Sequence, residues 1–353
     1  MFIDLFVANK EIINKTDVLI EEPDKNKIIY VWLNYIKRFL NKFLMNNITP
    51  VIVIDGIHPD EKEITHQERR LKKEVITKKI EDIKEKIQKK NAIDYTNKDL
   101  EELRKYMSQV IPFTSNDIDI FVKFITSIGL PFLKASNEGE QLCSYLCKEK
   151  LVDAVYSTDR DCLVYGTPIL ITKISENNIA DIILLDELLA KSELDFVQFV
   201  DMCILAGCDF NTNIRNVGIM KSYKLIKQYK SIDNLPTNYD ISCLNHEFCR
   251  DHFKYKMSHQ SCLNEINLRI QRHLISKDEL SKYGLLDWLS ELNMYYDSID
   301  SNKNNQPINI NIDLITENTV QIVKHNNSIY IGLSEININD LIDMQCAQYL
   351  ENS

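Results

Sequence analysis

Apolar positions along the chain fall into two kinds of run. From Lys27 to Asn46 they recur at helical spacing, with Ile28, Ile29, Val31, Trp32, Tyr35, Ile36, Phe39, Leu40 and Phe43 forming one broad face. On either side lie short, nearly continuous apolar runs. Met1–Val7 (MFIDLFV) and Pro50–Asp55 (PVIVID) read as buried strands, the second stopped by Gly56 and Pro59. Strand, helix, strand predicts a right-handed βαβ unit and a parallel sheet. The alternation continues with a strand over Leu130–Leu133, a helix over Glu138–Cys147 and a strand over Ala154–Ser157. A hairpin follows from Pro168–Thr172 and Ala180–Leu185, and then a strongly apolar helix over Phe196–Leu205. Val217–Tyr229 reads as the second helix of a helix–turn–helix. Beyond about Asp240 the signal weakens. It predicts a helix over Leu285–Leu292, a polar loop over Ser301–Pro307, and strands over Ile308–Ile315 and Thr319–Val323. The class is α/β, with a mostly parallel central sheet flanked by helices.

One stretch breaks this pattern. Glu61–Lys90 and Asn97–Gln109 read as helices with thin apolar stripes, which fit elements that project into solvent. The amphipathic segment Thr114–Ile128 follows and opens on a Thr-Ser-Asn cap signal. A net charge of −10 argues against a general polyanion binder, but its distribution changes that picture. Lys62–Lys90 holds eleven Lys and Arg among six acids, and Asn211–Lys230 holds five basic residues and no acid. Local patches of this kind bind phosphates whatever the average. The cysteines number nine, with no Cys-x-x-Cys pair. No secretory apolar region opens the chain and no run is long enough to span a bilayer. An intracellular, reduced protein is expected, without a membrane partner.

The candidate chemistry lies in the acids. Asp4 falls near the end of the first strand and Asp55 closes the second. Glu138 and Glu140 follow a third, Asp159 and Asp161 a fourth, and Asp209 sits at a Gly-Cys-Asp turn after the helix Phe196–Leu205. Ligands of open α/β sheets gather at the carboxyl ends of the strands, so a parallel sheet would bring these seven together. Ionised carboxylates share a small volume only when cations neutralise them. Oxygen-only ligation favours Mg²⁺ or Mn²⁺ over zinc. Two such ions about 4 Å apart stabilise attacking and leaving oxygens in phosphodiester hydrolysis. Any single acid of the set reads equally well as a solvated turn cap. The Glu-x-Glu and Asp-x-Asp pairs after apolar strands are harder to explain that way.

Four segments in order, VIVIDG (51–56), ASNEGEQLC (135–143), STDRDCLVYG (157–166) and FVDMCILAGCDFNTNIRNVG (199–218), resemble the core motifs of flap endonucleases and their xeroderma-pigmentosum-group-G-type relatives. The resemblance covers about residues 1–235 and implies a PIN-like nuclease core. It implies a helical arch over about 61–112, a helix–two-turn–helix over about 209–230, and a divergent C-terminal region over 236–353. It makes Asp4, Asp55, Glu138, Glu140, Asp159, Asp161 and Asp209 the ligands of two Mg²⁺ ions, replaceable by Mn²⁺. The first four would serve one ion and the last three the other. Lys62 and Arg69 match the family's basic pair at the base of the arch, two helical turns apart, where they would stabilise charge on the phosphoryl oxygens. A solvated helix face is the plainer account of both. Arg70, Lys72 and Lys73 beside them, and Arg215, Gly218, Lys221 and Lys224 in the second motif, are expected DNA contacts. A K⁺ ion at the helix–two-turn–helix is implied as well.

The implied activity is 5′-flap endonuclease and 5′–3′ exonuclease cleavage of branched or flapped DNA in replication, repair or recombination. Water would attack in line, leaving a 5′-phosphate and a 3′-hydroxyl. The enzyme is expected as a monomer in the nucleus or at a viral or cytoplasmic site of DNA replication. The alternatives are a 5′–3′ exoribonuclease and an inactive scaffold that binds DNA junctions. Several positions depart from the family pattern. The segment that precedes strand one in the family has no counterpart. Lys10 stands where relatives place a stacking aromatic, with Phe6 a candidate stand-in. Asn216 and Ile219 replace a glycine and a proline of the DNA-binding turn. The terminal sequence DMQCAQYLENS lacks a sliding-clamp motif. Cys243, His246, Cys249 and His252 carry zinc-ligand chemistry, but a strict spacing of three on one segment closes a tetrahedron poorly.

Overall fold

The computed structural model describes residues 2–16, 23–56, 62–89, 97–110, 114–175, 179–254 and 271–302, with short strands at 323–325 and 328–330. In chain order, helices α1 (Phe2–Lys15) and α2 (Lys25–Leu44) precede strand β1 (Ile52–Ile54). Helices α3 (Glu63–Lys89), α4 (Asn97–Met107) and α5 (Ser115–Ser127) lead to β2 (Phe132–Lys134) and α6 (Gly139–Lys148). Next come β3 (Val155–Tyr156), the short α7 (Asp161–Val164), β4 (Ile169–Ile174), β5 (Ala180–Leu184) and α8 (Leu185–Ser192). Helices α9 (Phe196–Ala206), α10 (Ile219–Tyr229), α11 (His246–Phe253), α12 (Lys277–Lys282) and α13 (Leu289–Asn302) follow, then β6 (Val323–His325) and β7 (Ser328–Tyr330). No helix among the described residues is long and apolar enough to cross a membrane.

Contacts divide the chain into two compact units. One comprises Met1–Ile52, Ile64–Leu133 and Asn267–Gln306; the other comprises Val53–Glu63, Lys134–Ile266 and Pro307–Ser353. This division departs from a boundary near residue 235: positions 236–254 pack within the second unit, where Leu244, Cys249 and Phe253 are core residues.

In the first unit α2 starts at Asp24, whose carboxylate accepts the Asn26 amide at 2.9 Å. Its apolar face buries Trp32, Leu33, Ile36 and Leu40. Trp32 stacks on Phe121 and Trp288 on Phe124, so both tryptophans are core residues as the apolar pattern predicts. The expected strand at Met1–Val7 is instead the first half of α1. A seven-residue apolar run does not distinguish strand from helix. Here the pattern continues at helical spacing through Ala8, Ile12 and Ile13, which are buried. The helices expected over Glu61–Lys90 and Asn97–Gln109 form as α3 and α4. Along α3, Gln67 and residues 69–75 are exposed, Leu71 and Val75 among them. Its far end, through Ile83 and Ile87, packs with Ile13, Leu103 and Met107, so this part does not project freely.

Two small ladders carry the parallel pairing. Along β1 and β2, Ile52 N bonds Pro131 O at 3.0 Å, Ala135 N bonds Ile54 O at 2.8 Å and Gly56 N bonds Asn137 O at 2.7 Å. The partners ascend together, as in a parallel pair. β3 pairs in parallel with β4, and β4 pairs antiparallel with β5 as the expected hairpin. The predicted helix at Leu285–Leu292 is a short 3₁₀ turn leading into the longer α13. Most of Ser301–Pro307, all of Ile308–Ile315, and Thr319–Ile322 lie outside the described residues.

One buried ion pair organises the second unit. Asp201 is 1 % exposed in the middle of α9. Arg250 of α11 grips it with two bonds, Nε to Oδ1 at 2.6 Å and a terminal nitrogen to Oδ2 at 2.7 Å. The Ile232 amide donates to the same carboxylate at 3.1 Å. Arg250 also bonds Asp233 at 2.9 Å, and His246 bonds that Asp233 at 2.9 Å. Arg250→Ala strands the Asp201 charge, and a loss of about 3–5 kcal/mol is expected in urea unfolding. Arg250→Lys, which keeps the charge but not the fork, should cost less.

Candidate metal-binding site

The acids of the second unit arrive on short segments that begin where strands or helices end. Asp55 follows β1, and its Oδ1 accepts the Gly139 amide at 2.7 Å. Glu138 and Glu140 flank that glycine at the start of α6. A Cβ on Gly139 would stand 2.8 Å from Asp55 Oδ1, and one on Gly56 would stand 2.2 Å from the Ala135 carbonyl oxygen. The two acid-bearing segments therefore approach through glycine at both contacts. Asp55, Glu138 and Glu140 each offer an oxygen, and these atoms lie within 4.8 Å of one another. That spacing suits oxygen ligation of one divalent ion.

Asp159 and Asp161 follow β3. The Asp161 amide donates to Asp159 Oδ1 at 2.9 Å, and the Asp159 amide donates to the Ser157 hydroxyl at 3.0 Å, which fixes the turn. Burial, then the charges of Asp159, Asp209 and Glu140, push the Asp161 carboxyl up to about 8. Burial, then Asp55, Asp159 and Glu138, push Glu140 up to about 7. Each acid-bearing segment thus feels the others, as expected of carboxylates that await a cation.

Lys62 supplies part of that positive charge. Its Nζ bonds Glu138 Oε2 at 2.9 Å and stands 3.2 Å from Asp209 Oδ2. It also lies over the Phe210 ring, 5.7 Å from the centroid. Burial works against its charge, but the bond and charge of Glu138, and then of Asp209, outweigh that and raise its pKa. An ammonium held between two acids shows where the pocket accepts a cation.

The structure thus brings together Asp55, Lys62, Glu138, Glu140, Asp159, Asp161 and Asp209. Asp4 lies on α1, in the other unit, and its side chain lies outside the described residues. The strand expected to carry it is helix. Phe6 lies on the same helix, its side chain likewise undescribed, and Lys10 is exposed there. Arg69, Arg70, Lys72 and Lys73 are exposed on α3 in that unit.

α9 and α10 pack against each other. The Asp195–Gln198 capping box opens α9, and α10 starts at Gly218. Asn216, before that glycine, adopts the left-handed conformation at φ 61°. Gly218 has nothing within 4 Å of where a Cβ would stand, and Arg215, Lys221 and Lys224 are exposed around it.

The four Cys and His residues at spacing three have separate partners. His246 bonds Asp233, Cys249 lies 3.8 Å from Cys208, and His252 bonds the Tyr165 hydroxyl. Cys243 contacts the Asp240 carbonyl. Cys243 sits on a 3₁₀ turn before α11, and the other three on α11 meet different neighbours.

Residues 129–209 match the XPG I-region model. In sequence the chain is similar to flap endonucleases of several organisms. It is 36 % identical over 219 residues to flap endonuclease 1 of Enterocytozoon bieneusi (strain H348), covering 61 % of this chain and 56 % of the relative. It is 30 % identical over 244 residues to the probable RAD2-like endonuclease 369L of Invertebrate iridescent virus 6, covering 58 % of each. The chain thus spans little more than half the length of these curated relatives. The fold resembles the solved flap endonuclease-1 from Methanococcus jannaschii, with a TM-score of 0.52 at 24 % identity over 76 % of this chain and 82 % of that one.

Raised carboxyl pKa values make ion binding proton-linked. At pH 7, calorimetry in buffers of different ionisation enthalpy should show Mg²⁺ or Mn²⁺ binding with release of roughly one proton, vanishing above about pH 9. For the ion-free protein the sign is fixed. Glu140 and Asp161 have folded pKa values of about 7 and about 8, above their ordinary values, so their contribution favours the fold at acidic pH. Thermal melts should show that contribution lost as pH rises from the ordinary carboxylate range through these values, and restored by divalent ion.

Proposed function

We propose that this protein is a divalent-metal-dependent nuclease that hydrolyses DNA phosphodiesters at 5′ flaps and 5′ ends, in replication, repair or recombination. The observation that carries this reading is the acid pocket closed by Lys62: oxygens of Asp55, Glu138 and Glu140 lie within 4.8 Å, and Lys62 bridges Glu138 and Asp209. Mg²⁺, or Mn²⁺ in its place, would supply Lewis-acid stabilisation of charge on the phosphate and lower the pKa of water. Asp55, Glu138 and Glu140 would hold one such ion, and Asp159, Asp161 and Asp209 a second. Asp4 would be the fourth ligand of the first ion.

The remaining steps belong to the chain's own groups. Lys62 is held by two acids, so neutralisation of those acids frees its ammonium for the phosphoryl oxygens. That stabilisation counts most where charge grows in the transition state. Arg69 is the second basic group of this reading, and Arg70, Lys72 and Lys73 line the approach of a single strand. Exposed Arg215, Lys221 and Lys224 surround the open space at Gly218. They would hold duplex phosphates, which approach a glycine backbone closely, with K⁺ in the turn.

Two sets of variants test this reading. Asp159→Ala or Asp209→Ala should lower cleavage of a labelled 5′-flap duplex in Mg²⁺ at least about a hundredfold, and Lys62→Ala by about 10²–10³. Undiminished cleavage would refute the assignment. Lys221→Ala with Lys224→Ala should weaken duplex binding and reduce the slope of log affinity against log salt by about 2. Preferential degradation of 5′-phosphorylated RNA would instead establish the exoribonuclease reading, and binding without cutting the scaffold.

A further inference from the structure

His252 lies on α11, outside the residues that match the family model. It meets three segments, and each carries candidate metal-binding acids. Its backbone carbonyl accepts the Gln141 side-chain amide at 3.2 Å, and Gln141 directly follows Glu140. Its Nε2 shares a 2.9 Å hydrogen bond with the Tyr165 hydroxyl. Tyr165 closes α7, and its amide bonds the Asp161 carbonyl at 3.1 Å. The His252 ring lies 4.3 Å from the ring of Phe210, the residue after Asp209 and the one beneath Lys62. Phe248 stacks on it at 5.6 Å. The acids themselves repel one another, so their spacing has to be imposed from behind. A site of this kind depends on the groups that lock its ligands.

We infer that His252 is a positioning residue for the metal site: through Gln141, Tyr165 and Phe210 it fixes the segments of Glu140, Asp161 and Asp209 relative to one another. This deepens the nuclease reading and rests on it. These links reach the acids through their chain neighbours, so the effect is on ion affinity and spacing. Tyr165→Phe removes the hydrogen bond and keeps the packing. His252→Ala removes the bond and the ring.

The test uses Mn²⁺ as probe on the full chain, by calorimetry for affinity and by electron paramagnetic resonance for coupling between bound ions. His252→Ala should weaken Mn²⁺ binding about tenfold and reduce the coupling, and Tyr165→Phe should weaken binding about threefold. On a 5′-flap duplex, kcat should fall by similar factors while KM stays within about twofold. Combining the two substitutions should add little to His252→Ala, because they break one shared link. A folded His252→Ala protein with unchanged Mn²⁺ affinity and kcat would overturn the inference. If that variant fails to fold, an unchanged Tyr165→Phe protein overturns it equally. Should the wild type bind Mn²⁺ yet cut no nucleic acid, the nuclease reading falls while the Mn²⁺ arm still decides the role of His252.

Discussion

Carboxylates crowded into a partly buried pocket repel one another, and the rest of the second unit can be understood as holding that repulsion in place. Burial and mutual charge raise Glu140 and Asp161 far above ordinary acids. Such a cluster is unfavourable alone and becomes favourable with cations. Lys62 is the cation the chain itself supplies, and its position between Glu138 and Asp209 links the ion-free state to the proposed chemistry. The same ammonium cannot bind acids and phosphate equally at one time. Exchange between them follows from the charge balance of the pocket.

Holding such a pocket together requires stronger contacts behind it. The Arg250–Asp201 fork ties α11 to α9, the Asp233–His246 pair ties it to the turn after α10, and the aromatic group of Tyr165, Phe210, Phe248 and His252 ties it to segments that carry the acids. Residues 236–254 thus belong to the core of the unit. Local features complete the geometry: glycine at positions 56 and 139 lets two chain segments approach, and Asn216 supplies a left-handed turn before α10.

Much of this was legible in the sequence where chemistry and periodicity coincide. Paired acids after short apolar strands marked the pocket. The N-terminal run reads as a strand from sequence because six apolar residues in seven satisfy a strand and a helix alike; the burial of Ile12 and Ile13 continues the helical pattern. The α11 contacts were missed because they pair residues far apart in sequence. One signal for them was available: Asp201 stands alone in the apolar helix FVQFVDMCILA, and a charge in such a setting demands a partner. The spacing of Cys243, His246, Cys249 and His252 suggests a metal site, whereas each of them has a different partner.

The place of α11 in the chain also bears on biosynthesis. A ribosome releases residues 55 to 209 well before His252 and Arg250 emerge, so a nascent chain presents its acids without the wall that spaces them. Competence to hold paired ions would then arrive late in translation. A product cut short before residue 246 would keep Asp55, Glu138, Glu140, Asp159, Asp161 and Asp209 and lack every α11 contact behind them.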